Sequence, residues 1–177
     1  GLLTQRAHVA LDVVDASPRA HDATGALTEL LTARQRHTEQ PRPPVRAQPR
    51  TQSSLAVSAD GIAWIVIDAS PDILTQLRTF ADVQPARTVR DTGIVGVVLT
   101  DSQVDHTTGL LMLREGAPLH VHCTQEVRDD LTGVNPLFRI LDHYCGVRWQ
   151  RVDVRSDASF VVDGVEGLAL RALPLDA

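Results

Sequence analysis

Apolar and polar positions follow two different styles along the chain. Residues 1–45 are rich in Arg, Thr, Gln, His and Pro and show weak periodicity. Leu27, Leu30 and Leu31 make a narrow apolar stripe that fits a helix over 22–37, and Pro41, Pro43 and Pro44 stop any regular element. From about residue 46 the pattern becomes short apolar runs separated by turn residues. Residues 54–58 and 63–68 read as strands joined at Asp60-Gly61, a hairpin signal. Ser70-Pro71-Asp72 puts a capping serine ahead of a proline at the first helical position and an acid that suits the helix dipole. This predicts a helix through Phe80 with Ile73, Leu74 and Leu77 facing inward. The run over 94–100 is uninterrupted and predicts a strand covered on both faces. After it come a short helix over 108–115 ended by Gly116, a strand over 119–123, and a Thr124-capped helix through Leu131. A helix opened by Asn135-Pro136 and closed at Gly146 precedes short strands over 149–154, 160–163 and 168–173. Strands alternating with helices, together with hairpins, predict an α/β (α+β) domain: two sheets, or a mixed sheet, flanked by helices.

Composition narrows the function classes. With 43% hydrophobic residues the 177-residue chain has enough apolar mass for a core, and with 3% aromatics that core is built from Val, Leu, Ile and Ala. A net charge of −5 gives no electrostatic reason for a nucleic-acid partner. The longest apolar runs, 62–67 and 94–99, are too short to cross a bilayer. Cys123 and Cys145 are far apart in sequence and read as buried, reduced thiols of a cytoplasmic protein, in keeping with an opening that lacks a basic-then-apolar leader. A glycine start and an ending at Ala177 without a closing element read as a chain cut at both ends.

The chemistry-bearing stretch is Asp101-Ser102-Gln103-Val104-Asp105-His106, on the segment leaving the long apolar strand. Four side chains able to bind metal or handle protons, Asp101, Gln103, Asp105 and His106, fall within these six residues. Asp105 and His106 combine a hard oxygen with an imidazole nitrogen, a pairing that suits Fe(II), Mn(II) or Zn(II). Acids and threonines after a strand also serve simply to cap the next helix, so spacing alone leaves both readings open.

A resemblance adds to this. The stretch is similar to the metallo-β-lactamase signature His-x-His-x-Asp-His followed by glycine, with Asp101 and Gln103 in place of the first two histidines and Gly109 closing the segment. That replacement resembles the pyrroloquinoline quinone (PQQ) biosynthesis protein B family. So do Arg50-Thr51-Gln52-Ser53-Ser54, Asp68-Ala69-Ser70-Pro71-Asp72-Ile73, the block from Gly109 to Gly116, Leu137-Phe138 and His143-Tyr144. As a set these cover about residues 46–176.

The resemblance implies a metallo-β-lactamase-like αββα sandwich, incomplete here, with 46–177 as the N-terminal half of the domain. It implies a role in PQQ biosynthesis: iron- and O2-dependent hydroxylation of the tyrosine ring of a cross-linked Glu–Tyr precursor. The alternative is a carrier that moves PQQ or its precursor towards the periplasm. By position, Asp105 and His106 become the metal ligands. Asp101 is a third ligand or an acceptor that fixes His106, and Gln103 orients water or substrate. Fe(II) fits this harder donor set better than the zinc of hydrolytic relatives. The family's structural zinc motif, Cys-x-Cys-x-x-Cys, has no counterpart in residues 1–45, which contain no cysteine. That segment is therefore expected to be anomalous and poorly ordered, the product of an out-of-frame or misjoined stretch. The partner expected is a small-molecule or modified-peptide-derived substrate, with homo-oligomerisation left open and the 177 residues alone expected to be inactive. Elsewhere, His120 and His122 share one strand face and are expected to be solvated or at an edge. Ser70 reads as a cap, Arg114 as a helix-end residue, and Trp64 and Trp149 as core anchors.

Overall fold

The computed structural model describes residues 8–16, 51–52, 54–83, 92–114, 116–154 and 159–175. Among them, in chain order, are strands β1 (His8–Ala16), β2 (Leu55–Val57) and β3 (Trp64–Ile67), and helix α1 (Ile73–Thr79) with a 3-10 turn at Ala81–Val83. Next come β4 (Ile94–Val98), the short helix α2 (Val104–Thr107), a 3-10 stretch Thr108–Met112 and β5 (Leu119–Cys123). Helices α3 (Gln125–Thr132) and α4 (Leu137–Asp142) and strands β6 (Val147–Arg151) and β7 (Leu168–Leu175) follow.

Strands β2-β3-β4-β5-β6 form one sheet in that order, and β1 pairs with β7 in a second. Strand β2 runs antiparallel to β3, while β3, β4, β5 and β6 are mutually parallel neighbours. Period-2 alternation sends successive side chains to opposite faces. Trp64, Val66, Val97, Leu99, Val121 and Cys123 pack under the helices with Ile73, Leu77, Leu110, Leu131 and Leu141. On the other face Ile65 and Val98 meet Val162, Leu168 and Leu170 of the β7 region. The result is a helix layer, a five-stranded sheet and a two-stranded sheet, with an apolar cluster at each interface. Burying one such Leu or Ile side chain stabilises by about 1.5–3 kcal/mol.

The parallel arrangement brings the carboxyl ends of β3, β4 and β5 together at one edge, where chemistry gathers in sheets of this kind. Val97 and Val98 are covered on both faces, as the unbroken apolar run predicts. Strand β5 occupies 119–123 as expected, and Thr124 caps α3 by accepting the Val127 N–H at 3.3 Å.

Several expectations need correction. Helix α1 buries Ile73 and Leu77, four residues apart on one face, but leaves Leu74 exposed, because it lies about 100° further round. Ser70 makes no side-chain cap; the position before the helix is Asp72, and the buried Ser70 hydroxyl donates to Gln76 Oε1 at 3.2 Å. His122 is buried and stacks on Phe160 with ring centroids 5.9 Å apart. Its place on the inter-sheet face explains this, whereas His120 is half-buried. Cys145 is half-buried; Cys123 is buried, and burial pushes its thiol up to about 12. Trp64 is a core residue, while half-buried Trp149 carries the Arg128 guanidinium over its ring at 4.4 Å. Arg114 donates to the Leu111 carbonyl at 2.6 Å and lies 5.8 Å from the Tyr144 ring centroid. Residue 160 forms only an isolated bridge with Leu170. Within residues 1–45 the described part is β1; the helix expected over 22–37 and the proline-rich stretch lie outside the described residues. No helix among the described residues is long and apolar enough to cross a membrane.

Candidate metal centre

The segment after β4 is organised by carboxylates. Strand β3 is followed directly by Asp68, a non-glycine residue held at φ +56°. Such a left-handed conformation costs on the order of 1–3 kcal/mol and persists only where the surroundings enforce it. The enforcement is visible: Asp68 Oδ1 accepts the Thr100 N–H at 2.9 Å and Oδ2 accepts the Thr100 hydroxyl at 2.7 Å. The end of β3 is thereby tied to the end of β4, and burial raises the Asp68 carboxyl above its ordinary value despite these two bonds.

Asp101 follows, 2% exposed. Its Oδ1 accepts the Gln103 N–H at 2.8 Å and lies 2.8 Å from His106 Nδ1. One oxygen therefore starts a helical turn and grips an imidazole. Gln103 holds extended backbone angles at the helix start, and its carbonyl accepts the His106 N–H at 3.0 Å and the Thr107 hydroxyl at 2.8 Å. The helix begins at Val104, inside the motif and ahead of the expected 108; no side chain caps it, and the Asp101 carboxylate instead closes a turn onto the N–H of Gln103, the residue that precedes its first turn. Two backbone bonds dock the turn against β3: Ala69 N to His106 O at 2.7 Å and Gly109 N to Ala69 O at 2.9 Å. Gly109 is required by this approach, since a Cβ there would sit 2.2 Å from the Ser70 carbonyl oxygen.

The imidazole has two different sides. Nδ1 faces Asp101 at 2.8 Å, with Asp68 Oδ2 at 3.8 Å behind it; Nε2 faces Asp105 Oδ2 at 4.0 Å. The Asp101 bond, reinforced by the charge of Asp68, raises the His106 pKa against the opposing effect of burial. The Asp105 side chain is 44% exposed, so this donor faces outward from the fold.

The structure therefore brings Asp101, Asp105 and His106 together, while Gln103 closes the turn through its backbone. Asp68 is a member that reading the sequence for chemistry missed. An acid ending an apolar strand was the available signal. A metal site built from these residues has the imidazole Nε2 and the Asp105 carboxylate on one side and an anchored Nδ1 on the other, the usual construction of a metal-ligating histidine. The fit is to one edge of an ion: among the described residues no group of three His, Cys, Asp or Glu side chains could hold a metal.

A three-layer αββ arrangement with this acidic turn at the edge of its parallel strands defines a class, and comparison with known proteins agrees. The family model of the Beta-lactamase superfamily domain matches residues 63–177, and the chain belongs to that superfamily. More particularly, it is similar to Coenzyme PQQ synthesis protein B of Nitrosococcus oceani, 55% identical over 135 residues that cover 73% of this chain and 44% of the relative. Coenzyme PQQ synthesis protein B of Methylobacillus flagellatus is 53% identical over 132 residues, covering 74% of this chain and 43% of the relative. Among solved structures, the Zn(2+)-bound PqqB from Methylobacterium extorquens matches with a TM-score of 0.54 and 35% identity, over 66% of this chain and 38% of that one. The likeness read from the motif set over 46–176 is borne out, as is the metallo-β-lactamase-like fold. The chain spans less than half the length of the curated relatives it matches.

Proposed function

We propose that this chain carries part of the metal centre of a protein of PQQ biosynthesis, with the Asp105 carboxylate and His106 Nε2 as donors. Asp101 is the acceptor that fixes His106 rather than a third ligand. The observation that carries the reading is the 2.8 Å contact between His106 Nδ1 and the buried Asp101 Oδ1, which leaves Nε2 on the Asp105 side. Support comes from the names of the relatives and from the zinc bound by the PqqB structure.

The finer reading is iron- and O2-dependent hydroxylation of the tyrosine ring of a cross-linked Glu–Tyr precursor. Its chemical basis is the replacement of two signature histidines by Asp101 and Gln103, which makes the segment harder in donor character. When bound, Fe(II) would supply oxygen activation. The protein's own part is to hold one imidazole in one tautomer and to present Asp105 from a helical turn, with the Gln103 side chain assigned to orient water or substrate.

Anaerobic titration of the chain with Fe(II), Mn(II) and Zn(II) tests the metal reading. His106→Ala and Asp105→Asn are expected to weaken binding at least tenfold. Unchanged affinity in both variants would contradict it. With a Glu–Tyr-linked substrate, Fe(II)-dependent O2 uptake supports hydroxylation, and stoichiometric binding without turnover, unaltered by His106→Ala, supports the carrier alternative instead.

A further inference from the structure

The side chains of the segment after β4 divide between two neighbours. Thr100 and Asp101 turn towards Asp68 and His106, whereas the Ser102 hydroxyl donates to Asp130 Oδ2 on α3 at 2.6 Å, across 28 residues of sequence. That distance is typical of a hydroxyl bonded to an ionised carboxylate, among the stronger hydrogen bonds a protein makes. Ser102 is 7% exposed, so its hydroxyl has little water to turn to.

Helix α3 does not depend on this bond for its own placement. Val127 and Leu131 are buried in the helix-side core, Thr124 caps the amino end, and the Asp130 carbonyl accepts the N–H groups of Gly133 at 3.3 Å and Asn135 at 2.9 Å. Asp130 therefore projects from a rigid base. The segment has more to gain. Thr100 to Asp68 and His106 O to Ala69 N tie it towards β3, and Leu99 N to His122 O at 2.9 Å ties its start to β5. The bond to α3 is a side-chain anchor away from β3, one residue from the carboxylate that orients His106. With Ser102 held in this way, a swing of Asp101 strains a partly buried bond next to it.

We propose that Asp130 is a positioning residue for the candidate metal centre: by holding Ser102 from α3 it fixes the Asp101–His106 pair and so sets the affinity for a divalent cation. This rests on the metal reading above. Groups bonded directly to a ligand, as Asp101 is to His106, are worth about 10- to 100-fold in metal affinity, and Asp130 acts on that pair through Ser102, so its effect is expected to be smaller.

The test uses the whole chain, Mn(II) as probe, and two readouts: the Mn(II) dissociation constant, and the 15N signal of the His106 side chain without metal. Ser102→Ala is expected to weaken Mn(II) binding about fivefold, less than loss of a direct partner of the ligand, and to shift the His106 Nδ1 signal away from a single protonated tautomer. Asp130→Asn, whose amide oxygen still accepts, should lose less, Ser102→Thr should retain parental binding, and Asp129→Asn on the same helix should change neither readout. If Ser102→Ala and Asp130→Asn lower only the melting temperature, with Mn(II) affinity within twofold and an unaltered His106 signal, the bond merely braces the fold and the proposal is overturned. Should His106→Ala bind Mn(II) as well as the parent, the metal reading fails by itself. The 15N signal still decides whether Ser102 and Asp130 position the histidine.

Discussion

Strand β3 runs between two segments that are each built around an aspartate, and the two acids live in opposite circumstances. At its entry Asp60 is exposed, and its Oδ1 accepts the N–H groups of Ala63 at 2.9 Å and Ile62 at 2.7 Å. Those backbone bonds hold its carboxyl below the usual value. At its exit Asp68 is buried, bonded to Thr100 32 residues away, and pushed up by that burial. Every partner of Asp60 lies within three residues of it, so its whole effect is to close a turn. Asp68, from a distant part of the chain, joins Asp101, five residues before the histidine, around one imidazole. The same side chain is a local solution at one end of the strand and a component of a site at the other. Partner distance along the sequence, together with the sign of the pKa displacement, separates the two roles.

The largest difference should appear on truncation. Asp101→Ala strands the Gln103 N–H and the His106 ring, and a loss of about 2–3 kcal/mol in unfolding free energy is expected together with at least a tenfold weaker Mn(II) affinity. Asp60→Ala should cost at most about 1 kcal/mol and leave Mn(II) affinity alone. Denaturant unfolding and metal titration of both variants check this, and equal effects on affinity would erase the distinction.

The glycines of the two segments sharpen the point. Gly109→Ala places a methyl against the Ser70 carbonyl oxygen and is expected to destabilise by about 3 kcal/mol, opening the contact that docks the His106 turn. Gly61, at φ +75° with open space around it, should lose only about 1 kcal/mol on substitution by alanine. A Gly61→Ala loss as large as that of Gly109→Ala would mean that backbone conformation, not close approach, governs both.

The smallest effect is a titration. Because the folded Asp60 carboxyl lies below its ordinary 3.8, its contribution is fully present above that value and is lost as pH falls through the lowered folded value. Asp60→Asn should therefore flatten the acid limb of the stability curve below about pH 4 and change little at pH 7. Parallel acid limbs for parent and variant would remove Asp60 from the account.

What the sequence made legible was what local rules decide. Strand β5, the double-sided burial of β4, the Thr124 cap and the Asp60-Gly61 hairpin follow from short apolar runs, capping and turn chemistry, and the motif set located the site segment. What stayed hidden needed the third dimension. Helix α2 starts at Val104 with no side-chain cap, after a turn in which Asp101 accepts the Gln103 N–H, so the usual capping signal is missing from the sequence. His122 is buried because Phe160, far along the chain, lies over it. Asp130 carries no signal at all in a helix of mixed charge, and only the packing of α3 beside β4 brings it to Ser102. Asp68 was visible as a strand-ending acid, but its bond to Thr100 depends on the parallel pairing of β3 with β4.

The most direct measurement is electron spin-echo spectroscopy of Mn(II) bound to protein labelled with 15N at histidine. A nitrogen hyperfine coupling from one coordinated imidazole is predicted, absent in His106→Ala and preserved in His122→Gln. Bound Mn(II) that shows no imidazole nitrogen, or a coupling that survives loss of His106, would contradict a centre built on Asp105 and His106.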